Sequence, residues 1–153
     1  MQASSLIFTP AGQEHRATIR DMQRATAQQL LKRKLSTADE HRMAERTQRA
    51  EARVVVCSCD DQWIGYFCVE PTADGTLHLL DIFVFPPYRR RGFSRQMLAE
   101  VRRVALAEDA STITLVVSSD NPAARALYKS AGFIETAHHR ADPVHQLQMT
   151  LPL

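Results

Sequence analysis

Between Arg53 and Phe85 the chain carries three β-branched and aromatic runs, Arg53–Cys59, Trp63–Glu70 and Thr76–Phe85. They are separated only by Asp60-Asp61 and by Pro71 with Ala73-Asp74-Gly75. Turns this short join antiparallel neighbours. The next compact run, Thr112–Val117, comes only after a helix-length segment from about Phe93 to Leu106. That segment carries Met97, Leu98, Val101, Val104 and Ala105 on one stripe. A strand, a helix and a strand in that order predict a parallel pairing of the fourth and fifth strands.

The remaining elements follow from local signals. Leu6–Thr9 reads as a first strand that stops at Pro10, and a helix is expected from about Glu14 to Arg33 with Ile19, Met22, Leu30 and Leu31 as its apolar residues. Ser36-Thr37-Ala38-Asp39 has the form of a capping box. The Arg- and Glu-rich stretch after it, to about Ala50, reads as a solvated helix. Asn121 and Pro122 suit the N-cap and first position of another helix, and Gly132 its C-terminal stop. Phe133–Ala137 and Val144–Leu151 would be closing strands. The expected fold is α+β: one domain over residues 1–153, a mixed sheet of about seven strands flanked by about four helices.

Composition narrows the function classes. With 19 Lys and Arg against 17 Asp and Glu, the near-neutral balance gives no general case for nucleic-acid binding. No apolar run approaches a membrane span, so no membrane partner is expected. The first ten residues have neither a basic region nor a long apolar one, so they do not read as a secretion signal. Three cysteines, Cys57, Cys59 and Cys68, are an odd number for a disulfide scaffold, and a cytoplasmic location is expected.

The densest chemical signal is Pro86-Pro87-Tyr88-Arg89-Arg90-Arg91-Gly92-Phe93-Ser94-Arg95, placed between a strand and a helix. A helix start offers unpaired N–H groups and the positive end of the dipole. Gly92 allows close backbone approach, Ser94 is small and carries a hydroxyl, and four arginines add forked cationic donors. Such a turn suits a phosphate, although neither a Walker loop nor a dinucleotide glycine fingerprint is present. Taken alone it also fits a solvated basic turn. Downstream, Asn121 and Tyr128 are seven residues apart, nearly two helical turns, so one helix presents an amide and a phenol to nearly the same side.

These two segments resemble the GNAT family of acyl-coenzyme A-dependent N-acyltransferases. Arg89, Gly92 and Ser94 occupy the positions of its Q/R-x-x-G-x-G/A signature, with Ser94 in place of the usual Gly or Ala. The stretch from Asn121 to Phe133 is similar to its N-x-x-A-x-x-x-Y-x-x-x-G-F segment at each named position, with Asn121, Ala124 and Tyr128 matching. The resemblance runs from about Trp63 to the C-terminus. It implies a GNAT-like domain splayed between the fourth and fifth strands, and acetyl-CoA as cosubstrate. The backbone N–H groups of Arg90, Arg91, Gly92, Phe93, Ser94 and Arg95 would hold its pyrophosphate.

Acyl transfer from a thioester to an amine needs an oxyanion donor, a neutral amine and an acid for the leaving thiolate. By resemblance the donors come from the fourth-strand backbone near Phe83 and Val84, and Tyr128 is the acid. An unperturbed phenol, with a pKa near about 10, is roughly as acidic as the thiol. The base is open between His78 and Asp81, which a regular strand would turn to opposite faces. His78 also reads as an ordinary strand residue, Asp81 as a brace for the turn before Arg89, and Glu70 is a further candidate. Leu80 stands where polyamine acetyltransferases carry Glu, which argues against a polyamine acceptor.

Other features carry less. Cys57-Ser58-Cys59 fits alternating strand positions better than a metal site, and His138, His139 and His145 lack further ligands, so no metal is expected. Trp63 reads as core. Asp39, Glu40 and Glu45 are either amine contacts or parts of a solvated helix. The leading expectation is an acetyl-CoA-dependent N-acetyltransferase acting on a primary amine, small molecule or protein, by direct attack in a ternary complex. The rival is a catalytically weak regulatory module that binds acyl-CoA. A nucleic-acid contact through the arginines ranks last, because they sit on one turn. Many relatives pair through sheet edges, so the resemblance leaves a homodimer open.

Overall fold

The computed structural model describes residues 5–31, 34–41, 52–141 and 144–153 of the 153-residue chain. Seven strands form one sheet in the order β1-β2-β3-β4-β5-β7-β6. They are β1 Ile7–Pro10, β2 Arg53–Cys59, β3 Gln62–Pro71, β4 Thr76–Val84, β5 Thr112–Ser118, β6 Ile134–Ala141 and β7 Val144–Pro152. The helices are α1 Gln13–Leu31, α2 (described over residues 37–41), α3 Phe93–Ala107 and α4 Pro122–Ser130. The expected extension of α2 to Ala50 lies outside the described residues.

Strands β2, β3 and β4 form the antiparallel meander, and β4 and β5 pair in parallel. The β2–β3 turn holds Asp60 and Asp61 at φ 50° and 60°, the left-handed pair that a tight hairpin requires. The capping box closes with aspartate as its acidic partner. Ser36 Oγ accepts from the Asp39 N–H at 3.1 Å, and Asp39 Oδ2 accepts from the Ser36 N–H at 2.8 Å.

Helix α3 buries Met97, Leu98, Val101 and Ala105 against one sheet face, where Phe67, Leu77, Leu79, Val84, Ile113 and Leu115 form the core. Tyr128 and Phe133 join that core from α4 and the loop after it. The other face meets α1 through buried Ile19 and through Gln23, whose amide reaches Asp81 on β4. Among the described residues no helix is long and apolar enough to cross a membrane.

Candidate active site

Strand β4 pairs with β5 over residues 76–79 and 112–115. Beyond that point β3 flanks residues 81–84 on one side, and no described strand pairs with them on the other. The two strands splay apart, leaving a row of main-chain groups without ladder partners. A β-bulge marks the divergence: Cys68 pairs with Asp81 and Val69 with Leu79, so Leu80 is the extra residue.

The bulge overturns one expectation. Leu77 and Leu79 are buried in the α3-side core, and Ile82 and Val84 belong to that same core after the bulge. The extra residue therefore resets the alternation and puts His78 and Asp81 on one face, the side of α1, where a regular strand would oppose them.

Alternation also separates Phe83 from Val84. The Phe85 N–H donates to the Ile64 carbonyl of β3 at 2.9 Å. The polar groups of Phe83 point the same way, and those of Val84 point away from β3 toward the gap. In accord, the Val84 carbonyl accepts from Arg89 Nε at 2.9 Å. Of the two expected oxyanion donors, the Val84 N–H is the one aimed at the gap.

The turn before α3 is built to leave donors open. A 3₁₀ turn at Pro86–Tyr88 ends the strand, then Arg90 and Gly92 take φ of 62° and 82°. Gly92 is the N-cap of α3, and no side chain caps the helix. The first intrahelical bond is from the Gln96 N–H to the Gly92 carbonyl, so the N–H groups of Phe93, Ser94 and Arg95 precede the helical ladder. A Cβ at Gly92 would meet nothing within 4 Å, so the space over the turn is open. A cavity of about 210 Å³ there is lined by Arg90, Gly92 and Ser94, by Val84 of β4 and by Leu127 of α4. This donor set and opening fit a diphosphate. The Arg89 guanidinium braces the turn, 5.2 Å over the Phe83 ring. Arg91 lies 5.9 Å over Tyr88.

Across the gap, α4 starts as the Asn-Pro signal predicts: Asn121 Oδ1 accepts from the Ala124 N–H at 3.1 Å. Tyr128 is 8% exposed and packs on Phe133. Among the described residues its hydroxyl has no hydrogen-bond partner. Burial, and then the negative charge of Asp81, hold its phenol well above the usual value. The second cause places the Asp81 carboxylate within electrostatic reach of Tyr128, linking the two sides of the splay.

Asp81 is held on the α1 side. Tyr66, fully buried, donates its hydroxyl to Asp81 Oδ2 at 2.7 Å and stacks on Phe83, while Gln23 Nε2 donates to the same oxygen at 3.3 Å. Asp81 thus makes these contacts rather than bracing the arginine turn. His78 lies further from the splay, with Nδ1 hydrogen-bonded to Thr114 Oγ1, and Glu70 faces it in the β3–β4 register.

Sequence reasoning missed Tyr66 and Gln23, because no local motif announces a bond that forms across 15 or 58 residues. Asp39 caps α2, Glu40 pairs with Arg24 at 3.0 Å, and Glu45 lies outside the described residues. Trp63, expected in the core, is half-buried, its ring set edge-on between His15 and Phe85. The three cysteines are free and buried, and among the described residues no three His, Cys, Asp or Glu groups converge on a metal position.

Comparisons with known proteins bear on the fold and the family. The fold matches a GNAT-family protein from Desulfovibrio desulfuricans at 20% identity and a TM-score of 0.78, covering 97% of this chain and 99% of that one. It matches spermidine N-acetyltransferase from Vibrio cholerae, solved with CoA and spermine, at 17% identity and 0.77, covering 97% and 95%. It also matches the ribosomal-protein-S18-alanine N-acetyltransferase of Escherichia coli at 21% identity and 0.70, covering 96% and 93%. At these identities the likeness establishes the fold. The family itself is established by the sequence model for the Acetyltransferase (GNAT) family, which matches residues 17–133, and the chain belongs to that family of acyltransferases.

Proposed function

We propose that the protein moves an acetyl group from acetyl-CoA to a primary amine within a ternary complex. The cosubstrate supplies an activated thioester carbonyl and a thiolate leaving group. Residues 90–95 would hold its diphosphate through the open N–H groups at the start of α3, aided by the arginine charge. The Val84 N–H, aimed into the gap, donates to the thioester oxygen as charge builds there. Tyr128 gives its proton to the leaving sulfur. Its raised pKa keeps that proton in place across the working pH range.

Asp81 attracts the ammonium form of the acceptor and takes one proton from it, which frees the nitrogen lone pair to attack the thioester carbon; as the tetrahedral adduct collapses, the second nitrogen proton replaces the one Tyr128 gives to sulfur. The observation that carries this assignment is the place of Asp81 on β4 just past its pairing with β5, held by Tyr66 and Gln23, with its charge within electrostatic reach of Tyr128 across the splay. It supports one site with an acid on one side and a carboxylate on the other. His78 stands further along β4, beside Thr114, and is the weaker base candidate.

The test is steady-state acetyl transfer to a panel of primary amines, with CoA binding followed by calorimetry. Tyr128→Phe and Asp81→Asn should each lower kcat while CoA still binds. Tight CoA binding with no turnover on any amine would instead support the regulatory-module reading.

A further inference from the structure

A second, larger cavity of about 710 Å³ lies away from the arginine turn, between α1, the start of α2, the edge strand β1 and its neighbour β2. Among the described residues that line it, Ile19 and Val54 are apolar, Arg16, Arg20, Arg24 and Arg53 are cationic, and Glu40 is the one acid. Arg53 is committed to Glu108 and Arg24 to Asp21 and Glu40, whereas Arg16 and Arg20 have no acidic partner among the described residues. Arg24 Nε lies 3.0 Å from Glu40 Oε1, yet its N–H is not aligned on that oxygen. It is the one buried side-chain nitrogen or oxygen among the described residues without a hydrogen-bond partner. A buried donor left unpaired is costly, and an anion brought into this cavity would relieve it.

Gln23 stands between the cavity and the proposed acceptor position. It lines the cavity and also donates to Asp81. Val54, Cys68 and Asp81 are register partners on β2, β3 and β4, so the cavity lining at Val54 is two strand spacings, about 10 Å, from Asp81.

We propose that the acceptor is a carboxylate-bearing primary amine, with the carboxylate in the arginine-lined cavity and the nitrogen at Asp81, about 10 Å apart. This rests on the acetyl-transfer reading and names its substrate class. An arginine lining recognises carboxylates through paired charge-assisted donors and repels a second cation. A polycationic acceptor, such as the polyamine of the Vibrio cholerae protein, would meet like charge here.

The experiment compares three acceptors of one chain length: ω-aminooctanoate, octylamine and octane-α,ω-diamine. The expected kcat/KM falls in that order, with the amino acid ahead of the diamine by about tenfold or more, the factor one well-formed charged pair supplies. Arg16→Glu with Arg20→Glu should invert the ratio between amino acid and diamine, and circular dichroism checks that the double variant is folded. Equal rates for all three, or a preference for the diamine in the native protein, overturns the carboxylate assignment while acetyl transfer stands. CoA binding without acetylation of any of the three removes the acetyl-transfer reading and this inference with it.

Discussion

Gly65 on β3 is the position where a single methyl group should disturb both stability and the proposed chemistry. A Cβ there would lie 2.0 Å from the Phe83 carbonyl oxygen and 2.9 Å from Met97 Cε. The methionine can swing aside. The carbonyl cannot, because it belongs to the strand paired with Gly65 through Val84. Reaching even a tight 3.0 Å contact requires β4 to move by about 1 Å at Phe83. Overpacking of this kind costs roughly 3 kcal/mol. For a chain of this size that is a fall in Tm of about 6–12 °C. The same displacement moves the Val84 N–H, and a shift of about 1 Å at a positioned group costs on the order of a hundredfold in rate.

Gly12→Ala is the control. Its Cβ would approach Glu14 Oε2 at 2.3 Å, nearly as close, but that atom ends a flexible exposed side chain. The cost there should stay within about 0.5 kcal/mol. Thermal denaturation and acetyl-transfer rates on both variants test the argument. If Gly65→Ala keeps the native Tm and rate, the close backbone approach, and the position of Val84 built on it, are wrong.

Further tests address separate parts of the site. Gly92→Ala should cost about 1–2 kcal/mol from its φ of 82° alone, since the new methyl meets no atom within 4 Å, and should weaken CoA binding measured by calorimetry. Tyr128→Phe should lower kcat by about a hundredfold or more with little change in KM for acetyl-CoA, and the native enzyme's rate should show no alkaline fall from this phenol below about pH 10. Burial, and then the nearby Glu100 charge, push the Cys57 thiol up to about 12 from 9.0. The unfolded chain therefore releases this proton at lower pH than the native one, so stability is lost as pH rises from 9 toward 12, by at most about 1.4 kcal/mol per pH unit. Urea unfolding of Cys57→Ala should show a shallower alkaline decline, and an unchanged slope would refute the shift.

Much of the frame was legible in local signals. The meander was readable because β-branched runs were separated by gaps of three and five residues. The parallel β4–β5 pair followed from the helix between them. Ser36 to Asp39 and Asn121 with Pro122 announced their helices because capping is chemistry within a few residues. The pattern around Arg89, Gly92 and Ser94 marked the turn before α3 for the same reason, since a glycine at positive φ and uncapped N–H groups are local properties.

What depended on distant contacts could not be read this way. Strand parity assigned His78 and Asp81 to opposite faces, and the bulge at Leu80 placed them together. That bulge is a matter of register between β3 and β4, and no residue in β4 alone declares it. The same register aims the Val84 N–H into the gap, and the close approach of Gly65 to Phe83 belongs to the same pairing. The partners of Asp81 come from α1 and β3, and the arginine lining from α1 and β2, elements brought side by side only when the sheet is assembled. Hydrophobic period, capping and turn chemistry act over a few residues and write the elements into the chain. Register, splay and the charge facing a cavity are set by pairing energies between segments far apart in sequence, so folding alone decides them.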